Sequence, residues 1–385
     1  MRPTRAEVNL ASLRHNLRAV SREMGSGPGA PQVWGVLKAD AYGHGAPAVA
    51  RTLERAGIAG ICVALLEEAI ELRAAGIRIP ILVMGGYYGP RREGLEEILA
   101  NDLIPVVYDV GQVERIADIA RDAGRAVGVH LKVDTGMGRL GVTADELEEM
   151  LDALARHRQV RLDGLMTHLA CADEDDVATT EAQLARFEEA LGMARARGLE
   201  PRVRHAANSA ALLRVEASRL DAVRPGLALF GVPPAPRGES VAEVEKSLRP
   251  VMKVRTEIVA MREVRKGTRI GYGHTWEAGR TSRIATIPMG YADGLSRALS
   301  NKGHALVRGK RAPIVGTVSM DMTMIDVTDV PGARLGDEAV LLGPQEGPLG
   351  KDCIGAAEIA AHVGTIPWEV LTSISRRVPR FYREP

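Results

Sequence analysis

The chain has 385 residues, too many for one ordinary core, so it is expected to divide into two domains. Its 50 lysines and arginines stand against 49 aspartates and glutamates, a formal net charge of +1, without the basic surplus of a nucleic-acid binder. Hydrophobic residues make up 45% and aromatics only 3%, so the core is expected to be Ala, Val, Leu and Ile, and the partner a small molecule or a second copy of the chain.

A helix is expected over 11–24, then eight strands at 33–38, 58–64, 79–84, 103–108, 127–134, 161–167, 201–206 and 222–230. Segments of helical period separate most of them, among them 110–123, 144–157 and 177–196, while 209–217 after the seventh strand is short. Strand–helix alternation implies parallel pairing, and eight such units in about 240 residues have the size of a closed (β/α)₈ barrel. Counting alone leaves a doubly wound open sheet as the competing arrangement. P-P-A-P-R-G at 233–238 reads as a linker. Beyond it come short strands at 250–260, 283–288, 305–308, 313–327 and 338–342, then helices near 355–363 and 368–375. The expected fold class is α/β: an N-terminal (β/α)₈ TIM-type barrel over 1–240, followed by a mainly β C-terminal domain over 241–385, with residues 1–9 open to pairing with the second domain.

No run approaches the roughly eighteen apolar residues of a membrane span, and the first ten residues carry no apolar signal core. Cys62, Cys171 and Cys353 lie far apart with no C-x-x-C pair, which fits reduced thiols in the cytoplasm. No H-E-x-x-H or Cys/His cluster suggests a metal. The lone D-T-G at 134–136 lacks the second copy that aspartic-protease chemistry needs, and G-S-G-P-G-A at 25–30 stands in the wrong order for a dinucleotide loop. D-E-D-D at 173–176 reads as a solvated loop or helix start, with Asp173 a candidate for the substrate corridor.

The most informative stretch is V-L-K-A-D-A-Y-G-H-G at 36–45. It puts Lys38 at the C-terminal end of the first barrel strand, the face on which barrels build active sites. A lysine there is costly to bury unless its amine is used, for example against an aldehyde cofactor, and desolvation readily lowers its pKa. An isolated lysine would more simply reach from the rim to water. Further motifs follow in order: H-L-K-V-D-T-G-M-G-R-L-G at 130–141, T-H-L-A at 167–170, H-A-A-N-S-A at 205–210, R-P-G-L-A-L-F-G at 224–231, G-Y-G-H-T-W at 271–276, G-Y-A-D-G at 290–294, G-T-V-S-M-D at 316–321 and R-V-P-R at 377–380.

This ordered set resembles the bacterial alanine racemases, over nearly the whole chain. The resemblance implies a fold type III enzyme with pyridoxal 5′-phosphate held through Lys38, its phosphate near Tyr42, Ser209, Gly226 and Leu227, with Asn208 beside them. Position agrees, since barrels often bind phosphate after the seventh and eighth strands. A helix N-cap is the plainer role for Asn208-Ser209. Arg224 matches an arginine facing the pyridine nitrogen. Guanidinium has only donors, so that nitrogen stays unprotonated, a poorer electron sink that disfavours transamination. His168 is implied to lie near the ring and the Arg224 network, and Arg139 to bond the phenol side of the cofactor and the substrate carboxylate. The lysine matching Lys132 is carbamylated in some members, and the sequence leaves its state here open.

Inversion needs an acid–base group on each face of the α-carbon. The resemblance assigns these to Lys38 and to Tyr272, the latter from the second domain of a partner, so a homodimer with shared sites is implied. It also gives Met320 a backbone N–H toward the substrate carboxylate, Tyr291 a place at the mouth, and Asp321 a place behind the site. Ser319 stands where many members have cysteine, and Arg376 where some have a tyrosine near the phosphate and the mouth. The implied activity interconverts L- and D-alanine for peptidoglycan. Three alternatives stay open: a serine or broad-specificity racemase, separable by a substrate panel; a pyridoxal-phosphate decarboxylase, by carbon dioxide release; and a non-catalytic pyridoxal-phosphate carrier, by loss of α-deuterium exchange.

Overall fold

The computed structural model describes residues 2–87, 92–234 and 243–384, so residues 235–238 of the expected linker lie outside the described residues. β1 (Arg5–Asn9) leads into the helix Leu10–Glu23, whose first turn is capped by Asn9 accepting the Ser12 N–H. Eight strands follow: β2 (Gln32–Val36), β3 (Gly60–Val63), β4 (Ile81–Val83), β5 (Ile104–Val107), β6 (Val127–Lys132), β7 (Val160–Met166), β8 (Val203–His205) and β9 (Ala222–Val223). They pair in parallel in the order β8-β7-β6-β5-β4-β3-β2-β9. The ring closes from β9 back to β8 through Asp221 N–H to Arg204 O at 3.0 Å and Arg224 N–H to Ala207 O at 2.9 Å. The Arg204–Asp221 ion pair at 2.6 Å reinforces that seam.

All eight expected strands are present, and the helices Val110–Asp122, Ala144–Arg156 and Ala178–Ala196 fall where the periodicity puts them. The eighth strand departs most from expectation. It stops at Val223 rather than 230, because Pro225 has no N–H for a ladder, and Leu227–Phe230 coil into a buried 3₁₀ turn. The segment 209–217 is the helix Ser209–Arg214 with a 3₁₀ turn after it.

Past the linker the chain is mainly strand. β10 (Met252–Glu257) pairs antiparallel with β1, and the last strand, Arg380–Arg383, pairs in parallel with β1's other edge, Ala6 opposite Arg380. The expected strand 313–327 is two short ones, Lys310–Pro313 and Thr323–Asp326, with a loop between them. Gly316 turns that loop at φ +73°, where a Cβ would stand 2.8 Å from the Ile270 carbonyl oxygen. The helices Ala356–Val363 and Pro367–Thr372 close the chain near their expected positions. One continuous hydrophobic core joins barrel and sheet, with Leu13, Phe230, Val254 and Leu342 among its buried members. Among the described residues no helix is long and apolar enough to cross a membrane.

Candidate active site

Parallel pairing delivers the loop after every barrel strand to one end, and a cavity of about 380 Å³ opens there. Its wall takes in Lys38 and Tyr42 after β2, Lys132 on β6 with Arg139 beyond it, and His168 and Asp173 after β7. Asn208, Ser209, Arg224, Gly226 and Leu227 complete it from the loops after β8 and β9. Residues scattered over nearly 190 positions of sequence thus meet around one space. Four of them, Lys38, Lys132, Arg139 and Arg224, are cationic against a single acid, Asp173, so the cavity selects for anions.

The backbone leaving Lys38 is unusual. Ala39, Asp40, Ala41 and Tyr42 lie at φ between +52° and +54°, one left-handed helical turn made without glycine. Each such residue costs about 1–2 kcal/mol, so the surroundings must hold the turn in place. They do so at both ends: Glu68 accepts the Ala39 N–H at 2.6 Å, and the Asp40 carboxylate accepts the Ala46 N–H at 2.7 Å. Arg380 adds a bond from Nε to Gly43 O at 3.0 Å. The turn brings Tyr42 back under Lys38, buried with its ring 5.2 Å from Phe230. Burial lowers the Lys38 pKa, Arg139 lowers it further, and Glu68 opposes both.

The Tyr42 hydroxyl rests against Gly226, where a Cβ would stand 2.4 Å from it, so only glycine leaves this cradle open. Ser209 Oγ accepts the Gly226 N–H at 2.9 Å and the Ala228 N–H at 3.4 Å, which leaves its own proton to donate. The Gly226 N–H, expected to face a phosphate, is therefore taken by Ser209. The nearby serine satisfies it first, and Leu227 remains as the backbone donor at the start of the 3₁₀ turn. Asn208 lines the cavity and also caps its helix, accepting Ala210 and Ala211 N–H at 3.0 Å each.

Arg224 is fully buried and commits both terminal nitrogens: Nη1 to His205 Nδ1 at 2.7 Å, Nη2 to Thr167 O at 2.8 Å and Ala206 O at 3.0 Å. Because guanidinium can only donate, His205 accepts at Nδ1 and carries its proton on Nε2, which donates to His130 Nδ1 at 2.8 Å. Burial holds the pKa of His205 well below its usual value and that of His130 at about 4, so the relay is neutral beyond Arg224. Gly164 makes room for it, since a Cβ there would lie 2.5 Å from the His130 ring. The histidine bonded to Arg224 is thus His205, which the sequence reading did not single out; His168 lines the cavity, its pKa pushed down to about 3 by burial and the surrounding cations. Burial and the charges of Arg139 and Arg224 lower the Lys132 pKa to about 8. Asp134 of the D-T-G triplet accepts the N–H groups of Gly136, Met137 and Gly138, shaping the loop that carries Arg139.

The residues expected from the second domain stand elsewhere. Tyr272, Met320, Tyr291 and Asp321 do not line this cavity in one copy of the chain, and Tyr272 is 75% exposed. Thr317 Oγ1 bonds the Tyr272 carbonyl at 2.9 Å, and the Tyr291 N–H bonds Ser319 O at 3.0 Å, so Tyr272, Tyr291 and the Met320 loop belong to one hydrogen-bonded set. Asp321 pairs with Arg377 at 2.7 Å. Ser319 Oγ bonds Met322 O at 2.6 Å, a local turn contact, and Arg376 is exposed and absent from the cavity wall. The wall does include Trp368, from the helix Pro367–Thr372, which the sequence reading missed. Its only signal was rarity, one of three tryptophans in the chain.

Two family profiles match, "Alanine racemase, N-terminal domain" over residues 8–234 and "Alanine racemase, C-terminal domain" over residues 251–382. The alanine racemase of Sorangium cellulosum is 69% identical, with 100% of both chains covered, and that of Geobacter sulfurreducens 43%, with 100% of this chain and 98% of the relative covered. Among solved structures, alanine racemase from a D-cycloserine-producing Streptomyces lavendulae superposes with TM-score 0.89 at 34% identity, covering 100% and 98% of the two chains. The biosynthetic alanine racemase of Pseudomonas aeruginosa gives 0.85 at 36%, covering 100% of each. Matched from end to end in sequence and in fold, the chain belongs to the alanine racemase family.

Proposed function

We propose that this chain interconverts L-alanine and D-alanine with pyridoxal 5′-phosphate in the barrel cavity, as one half of a homodimer that supplies D-alanine for peptidoglycan in the cytoplasm. The observation that carries the reading is a lysine of lowered pKa facing a cationic cavity built from the loops of one barrel end. The residues fit the cofactor. About 380 Å³ suits a small ligand, Tyr42, Ser209 and the Leu227 N–H supply phosphate donors, and the open cradle at Gly226 admits an anion. Arg224 keeps Nε–H and the second Nη1 N–H as donors toward a ring nitrogen, since its three bonds among the described residues use three of the five guanidinium N–H groups. The division of the chain near residue 240 belongs to the same reading, and the pairing of β1 with β10 favours counting residues 5–9 with the second unit.

The bound cofactor would supply an electron sink that acidifies the α-proton of the amino acid. Lys38, whose amine sheds its proton more readily than a free lysine, takes or returns that proton on one face. The partner subunit's Tyr272 serves the other face; the exposure of this tyrosine and of Met320 in a single copy supports a site completed across an interface. Arg139 binds the substrate carboxylate with the partner subunit's Met320 N–H. Lys132 tunes Arg139, Asp173 and the partner subunit's Tyr291 line the approach, and Asp321 steadies the Met320 loop through Arg377.

Mixing two inactive variants tests this. Lys38→Ala and Tyr272→Phe homodimers, exchanged and reassociated, form hybrids in which one of two sites is intact, so about a quarter of wild-type racemisation returns. Circular dichroism of L-alanine follows it. No recovery from dimers proven to have exchanged would end the shared-site reading.

A further inference from the structure

Glu68 does not line the cavity, yet its carboxylate collects three backbone donors from two barrel strands. Oε1 accepts the Ala39 N–H at 2.6 Å, the first amide past Lys38. Oε2 accepts the Ala64 N–H at 2.8 Å and the Leu65 N–H at 3.0 Å, directly past β3. The Leu65 bond is the ordinary reach-back of an N3 glutamate to its helix N-cap, in the helix Leu66–Ala74. The Ala39 bond is not. It runs across to the neighbouring strand and meets the left-handed turn at its first residue, where strain would otherwise let the backbone relax and carry Lys38 with it.

We propose that Glu68 is a positioning residue: it clasps the ends of β2 and β3 together and so sets where the Lys38 amine stands in the cavity. The proposal rests on the reading of Lys38 as a proton-transfer group. A glutamine at 68 has one oxygen for three donors; pointed at Ala64 and Leu65, it turns its own N–H₂ on Ala39 and breaks that bond. An aspartate keeps the charge but is one methylene too short to span both strands. Both variants therefore release the turn, and only glutamine removes the negative charge.

The test is made first on ligand-free protein, so that it stands apart from the racemase reading. Hydrogen exchange at Ala39 is expected to accelerate about tenfold or more in Glu68→Gln and Glu68→Asp, with exchange in β6 and β7 unchanged. The pH dependence of Lys38 acetylation, read by mass spectrometry, then compares the two variants. Charged and titratable groups face this amine from several elements: Arg139 and Lys132 from β6 and its loop, His168 and Asp173 after β7, Arg224 after β9, and Tyr42 on its own turn. All of these are common to both variants, so Glu68→Gln titrates at the lower pH because it alone has lost the nearby anion. In the loaded enzyme kcat falls about tenfold or more while KM stays within twofold, the signature of a misplaced proton-transfer group. Wild-type exchange at Ala39 in both variants, or identical Lys38 titration in the two, overturns the proposal whether or not the enzyme racemises alanine. A fall in kcat without any local change in exchange overturns it as well.

Discussion

Adding one methyl group at Gly226 is the sharpest probe of the cavity. A Cβ there would lie 2.4 Å from the Tyr42 hydroxyl, 3.1 Å from Cζ and 3.3 Å from Cε2, against the 3.4 Å at which ordinary contact begins. The hydroxyl must therefore retreat by about 1 Å. Tyr42 has little room, being 5% exposed and packed on Phe230, so the strain is expected to cost about 1–3 kcal/mol of stability. Displacing the phenol also loses one hydrogen bond to a charged phosphate, about 1.5–3 kcal/mol, which weakens pyridoxal-phosphate binding by roughly 10- to 150-fold. Titration of ligand-free Gly226→Ala with pyridoxal phosphate, beside thermal unfolding, measures both effects. In Gly226→Ala/Tyr42→Phe the nearest clash disappears with the hydroxyl, so stability returns while affinity stays low; the two changes are far from additive. Binding within twofold of wild type in Gly226→Ala, at unchanged unfolding temperature, would refute the assignment of this cradle.

Tyr272→Phe is expected to melt like wild type, since the side chain is 75% exposed, while racemisation falls by about 10²- to 10⁴-fold; undiminished turnover would remove Tyr272 from the mechanism. His130, held at about 4 in the fold by burial, well below the ordinary histidine value, is protonated more readily unfolded than folded. Urea stability should thus fall from pH 6.5 toward 4, less steeply in His130→Gln; equal slopes would show that the relay contributes nothing. Lys132, at about 8, is neutral in roughly a tenth of molecules at pH 7 and so open to carbon dioxide. Carbon-13 NMR in labelled bicarbonate should show a carbamate signal absent from Lys132→Ala, and its absence from wild type would leave a free amine beside Arg139.

The barrel was legible because each strand is a short apolar run flanked by helical periodicity, as at Val127–Lys132 and Ala144–Arg156. The cavity was legible where function compresses into contiguous motifs, as in the Lys38–Tyr42 turn and the Arg224–Leu227 segment. What escaped depends on contacts between distant segments. Nothing in A-D-A-Y marks a left-handed turn, because what holds it are Glu68 and Arg380, from other parts of the chain. His205 stands in the motif H-A-A-N-S-A with nothing to mark its role, which comes from its place between Arg224 and His130. Trp368 reaches the cavity only because the C-terminal helices fold back against the barrel. The eighth strand was over-read, since an apolar run ending in Leu-Ala-Leu-Phe carries no sign that it will coil rather than extend.

β1 lies between β10 and the final strand, and Glu7 is joined to Arg383 across 376 residues of chain. During synthesis β1 must wait, both edges bare, while the whole barrel is made. Its last neighbour, Arg380–Arg383, is made more than 370 residues later. The sheet is therefore completed only after the barrel and the rest of the second unit have been made, and a chain cut before Arg380 would keep a barrel whose β1 is half unpaired.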